Sequence, residues 1–80
     1  MTANVYLLRY YAPLQTELEH LEQCVELGLI RPKEGANRSI DRICEADKSH
    51  KFTMPELTEL LEPFGCLSVG LAELLLNDFR

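Results

Sequence analysis

The side chains in this sequence with the most chemical potential are His20, Cys24, Cys44, His50 and Cys66, the imidazoles and thiols that could bind a soft metal or act as nucleophile and base. His20 and Cys24 are four residues apart, a helical spacing that can place two zinc ligands on one face. The remaining three follow no pair spacing, so an exposed His beside a buried Cys is the expected outcome and no metal is expected. Nothing around the cysteines marks a depressed thiol pKa or an oxyanion site. No glycine-rich phosphate loop is present. The chain is not expected to be an enzyme or to hold a cofactor, and no residue is assigned a catalytic role.

A second candidate lies between Ile43 and Leu57, where an Asp, a polar connector and an acidic residue on an outgoing helix resemble a worn calcium loop of the EF-hand kind. Such a loop needs oxygen ligands at its first, third and fifth positions, a glycine at the sixth and a bidentate glutamate at the twelfth. Asp47 and Ser49 fit, but Lys51 puts a cation at the fifth position, the glycine is missing and Glu56 falls one place short. Calcium is not expected. Glu56 has a plainer use: Thr53-Met54-Pro55-Glu56 spells a capping box, with Phe52 and Leu57 placed for a hydrophobic staple.

These groups must be carried by helices. Leu14, Leu18, Leu21 and Val25 form one stripe with Glu19, Glu22, Gln23 and Glu26 opposite, and Gly28 is placed to end the helix in a left-handed conformation. Periodicity and capping signals predict helices over 13–27, 37–46, 54–62 and 68–79, preceded by an arm or helical turn over 1–12 that could equally be a strand. The second helix is expected to bury Ile40, Ile43 and Cys44 behind an exposed loop ending in Gly35, and the fourth to take Ser68 as its N-cap. The expected fold is a single all-α domain, a small compact bundle of about four short helices with a C-terminal half like a helix-turn-helix.

Charge is uneven. Arg31, Lys33, Arg38, Arg42, Lys48 and Lys51 make the middle basic, whereas the flanks are acidic and the net charge is -5. An acidic domain repels nucleic acid and anionic membrane overall. The fourth helix offers Glu73, Asn77 and Asp78 where a recognition helix needs cations. A small DNA-binding regulator, the alternative reading, would therefore have to use Arg31, Lys33, Arg38 and Arg42. The odd cysteine count, the lack of a basic leader at Met1-Thr2-Ala3-Asn4 and the lack of a long apolar run point to a reducing cytoplasm and no membrane partner.

The fourth helix is apolar over roughly 220° of its circumference, wider than one core face requires. Either it is covered on two sides, or Val69, Ala72, Leu76 and Phe79 face a partner. The expected function is a small interaction protein that regulates or inhibits a larger protein partner, with a homodimer also open. By analogy of size and acidity it is of a kind frequent among phage and mobile-element proteins.

Overall fold

The computed structural model describes residues 12–78, which form four helices: α1 (Ala12–Glu26), α2 (Pro32–Ala46), α3 (Met54–Leu61) and α4 (Gly65–Asp78). No strand occurs among the described residues, and the fold is a small all-α bundle. The expected N-terminal arm lies outside them, as does Phe79.

In α1 the expected stripe is the buried one, with Leu14, Leu18 and Leu21 in the core and Val25 packed against it. The helix ends in a Schellman motif. Gly28 adopts φ +76°, Leu29 N–H donates to the Cys24 carbonyl at 2.9 Å, and Gly28 N–H donates to the Val25 carbonyl at 3.0 Å.

The second helix differs from expectation. It starts at Pro32, five residues before Asn37, because a proline at the first helical position gives up an amide that would have had no partner anyway. Arg31 before it is extended, as a residue preceding proline must be. Gly35 is not a loop residue but a buried helical one. A Cβ there would lie 2.7 Å from Val25 Cγ2 and 3.0 Å from Leu67 Cδ2. The roughly 1 kcal/mol that glycine costs in a helix is offset by letting α2 seat against α1 and α4. Ile43 is fully buried and Ile40 partly, but Cys44 is exposed, contrary to the expected core role. It lies about 100° around from Ile43, on the side away from Ser39.

α3 is set by its capping box: Thr53 N–H donates to Glu56 Oε1 at 2.9 Å, and Glu56 N–H donates to Thr53 Oγ1 at 3.4 Å. Leu57, Leu60 and Leu61 enter the core.

α4 packs on all three other helices, most closely on α2. The crossing is made by small residues. Gly70 lies so near the Pro32 carbonyl that a Cβ would collide with it, and Ala36 is adjacent. Ser39, the buried polar side chain of this seam, donates its hydroxyl to the Gly35 carbonyl at 2.7 Å. Leu67 and Leu71 complete the core.

Candidate functional site

α4 begins three residues before Ser68, so the serine is not its cap. Phe64 occupies that place, with Ser68 N–H donating to its carbonyl at 2.8 Å, and a phenyl ring accepts no amide proton. The acceptor comes from α1 instead. Glu22 Oε2 takes the Cys66 N–H and Oε1 the Leu67 N–H, each at 3.0 Å. These are the second and third amides of the helix, the ones that an N-cap side chain normally satisfies. Glu22, expected on the solvent face of α1, therefore locks α1 to the start of α4. One sequence signal pointed this way: a helix opening Phe-Gly-Cys carries no capping oxygen of its own.

Beside this cap, ligating atoms of Glu22, Glu26 and Cys66 lie within 4.8 Å of one another, a grouping that could hold a metal ion. Partial burial and the Glu22 and Glu26 carboxylates push the Cys66 thiol up. Both Glu22 oxygens already accept backbone protons, so the arrangement favours a protonated thiol over a thiolate ligand. Of the metal set read from sequence, only His20 and Cys24 are brought together, with Nε2 and Sγ 3.6 Å apart on the exposed side of α1. Cys44 is exposed on α2. His50 lies 3.0 Å from Glu56 and edge-on to Phe52. The oxygens of the calcium-loop candidate are engaged locally, Ser49 donating to Asp47 at 2.6 Å and Glu56 holding its cap.

The four cations proposed for nucleic acid divide between two places. Arg38 and Arg42 border a groove of about 420 Å³ that also runs past His20 and Cys24. Arg31 and Lys33 border a shallower one with Asn37 and Leu74. Arg38 pairs with Glu34 at 3.0 Å, and Arg42 lies between Glu17 at 3.6 Å and Glu45 at 3.4 Å. These are exposed pairs of modest strength, but they place a carboxylate beside each guanidinium.

The face proposed for a partner is in a different condition. Leu76 is 69% exposed and Val69 56%, with exposed Ala72 between them on the same side of α4. The opposite side holds Leu67, Gly70 and Leu71, all buried. Leu27 and Leu29, which flank the Gly28 turn, are also largely exposed. Their position beside a helix-ending glycine marked a turn, but nothing local set their exposure. No helix among the described residues is long and apolar enough to cross a membrane. Neither a protein-family model nor a curated protein nor a solved structure matches this chain significantly, so its function must be read from its own geometry.

Proposed function

We propose that this chain is a small non-enzymatic docking module, which regulates or inhibits a larger protein by laying the outer face of α4 against it. The observation that carries the reading is a helix buried on one side through Leu67, Gly70 and Leu71 and open on the other through Val69, Ala72 and Leu76. Water gains nothing from two exposed aliphatic side chains one heptad apart. A partner that covered them would recover, for each, somewhat more than half of the roughly 1.5–3 kcal/mol that full burial of such a side chain is worth, since Val69 is 56% and Leu76 69% exposed. Phe79 continues the same three-and-four spacing in sequence. A reducing cytoplasm suits the three free thiols.

The test is substitution of Leu76 by Asp, with partner capture from the native cell extract as readout. The expected result is a folded protein that has lost its partner. Full capture by the folded variant would remove α4 from the interface. Sedimentation of the unmodified chain addresses the homodimer: a dimer dissociated by Leu76→Asp would make a second copy the partner.

A further inference from the structure

The exposed face of α4 has an organised border. Gly65, Val69, Ala72 and Leu76 step by four, three and four residues, the spacing of a helix that receives another helix along its length. Ala72 between two larger side chains leaves a notch for a facing residue. Over Val69 to Leu76 the stripe runs about 10 Å.

Along one edge of this stripe, Cys66 and Glu73 are one heptad apart and share nearly the same direction around the helix. Glu73 is exposed. Cys66 brings with it Glu26, exposed, and Glu22. The edge is thus acidic at both ends, and neither Glu26 nor Glu73 takes part in an ion pair among the described residues. No cation occurs in the sequence between Lys51 and Arg80, so α3 and α4 themselves supply only negative charge, while Arg31 and Lys33 border Leu74 beyond Gly70. The first turn of a helix ordinarily lowers a thiol pKa, yet at Cys66 burial and the two carboxylates raise it.

We infer that the occupant of this face is an amphipathic helix of a partner protein, with large apolar residues at three-and-four spacing and Lys or Arg along the flank that meets Glu26 and Glu73. The inference rests on the docking reading of α4 above and adds the chemistry of the partner. Helix-in-groove recognition uses such anchors, and opposite charge along the rim sets orientation and speeds encounter. A second copy of this chain fits the face poorly, since its own α4 flank carries the same sign and the chain as a whole is at -5.

Three synthetic peptides of about 18 residues, long enough to fold as helices on contact, test this against the full chain by fluorescence anisotropy. The first has a Leu stripe and a Lys flank, the second the same stripe with a Glu flank, and the third the composition of the first with its apolar order scrambled. The first should bind at least tenfold tighter than either of the others at low salt, with the gap closing as salt rises. Glu26→Gln with Glu73→Gln should weaken it several-fold. Leu76→Ser and Val69→Ser, each checked for an unchanged circular dichroism spectrum, should weaken it at least as much. Equal binding of the Lys-flanked and Glu-flanked peptides would overturn the charge inference while leaving the docking face. Binding of none would overturn both. Equal binding of the scrambled peptide, or indifference to Leu76→Ser and Val69→Ser, would reduce the contact to unspecific attraction and also overturn the inference. Displacement of the first peptide by self-association of the chain would assign the face to a second copy instead.

Discussion

Replacing Glu22 by Ala removes a cap from a helix that begins 43 positions further along the chain, and its cost follows from what the carboxylate holds. Two amides, those of Cys66 and Leu67, lose a charged acceptor at 3.0 Å. Losing an N-cap side chain costs about 0.5–2 kcal/mol. Leu67 is fully buried, so its amide is poorly placed to find water, and an unsatisfied buried donor costs about 1–3 kcal/mol. Together these overlap rather than add, and about 2 kcal/mol is expected for Glu22→Ala. Glu22→Gln keeps one acceptor oxygen and should cost about half as much. For a domain of this size each kcal/mol moves Tm by about 4–8 °C, so thermal melts followed by circular dichroism should show Glu22→Ala lower by roughly 10 °C. Glu19→Ala on the same helix, where the side chain accepts only an exposed contact from Gln15, should stay within about 0.5 kcal/mol of the parent. If Glu22→Ala melts with the parent, α4 obtains its first-turn acceptors elsewhere and the α1–α4 lock does not exist.

Further outcomes follow from other single contacts. Gly70→Ala should destabilise by about 2–3 kcal/mol or more in urea unfolding, although alanine is the better helix former, because the Pro32 backbone cannot move aside. Gly35→Ala should cost less, since its neighbours are the side-chain ends of Val25 and Leu67; equal costs would mean that the α2–α4 crossing is looser than described. Gly28→Ala should lose about 1–2 kcal/mol from its left-handed conformation alone, as open space surrounds the new methyl. The raised Cys66 thiol holds its proton more tightly folded than unfolded. Its stabilising contribution is therefore complete below the ordinary thiol pKa of about 8.5 and is lost as pH rises through the folded value. Cys66→Ala should flatten that alkaline decline. Site-resolved alkylation should show Cys66 reacting at lower pH once Glu22 or Glu26 is changed to Gln; an unshifted profile would show that burial alone raises the thiol.

What was legible in the sequence is what residues settle within a few positions of one another. The stripes of α1 and α3, the Gly28 ending and the Thr53–Glu56 box depend on helical spacing and local hydrogen bonds, and they are found where periodicity put them. The start of α2 was misread because Pro and Gly carry two meanings. In a loop they break structure; at the first helical position and at a crossing they allow it, and only the approach of Val25, Leu67 and Gly70 decides between the two. The misplacement of Cys44 followed from starting the same helix late. The Glu22 cap joins residues 44 and 45 apart, a pairing that no window along the chain contains. Val69, Ala72 and Leu76 are exposed, which the width of the apolar arc alone did not decide, and Phe79 lies outside the described residues.

Of the two conditions open to α4, covered on two sides or buried on one and open on the other, the described residues show a helix packed on three others and still exposed along Val69, Ala72 and Leu76. A helix touched by three others would ordinarily be covered all round. Here the neighbour packed most closely, α2, enters at Gly70 and meets backbone with backbone. A small-residue crossing brings two helices together on a narrow strip, because no side chains splay out to widen the contact. Leu67 and Leu71 are buried in the core beside it. The arc from Val69 through Ala72 to Leu76 has no described helix covering it. Glycine at position 70 thus fixes the core seam. A substitution at that glycine that moved α2 outward would therefore change the exposure of α4 as well as the stability of the bundle.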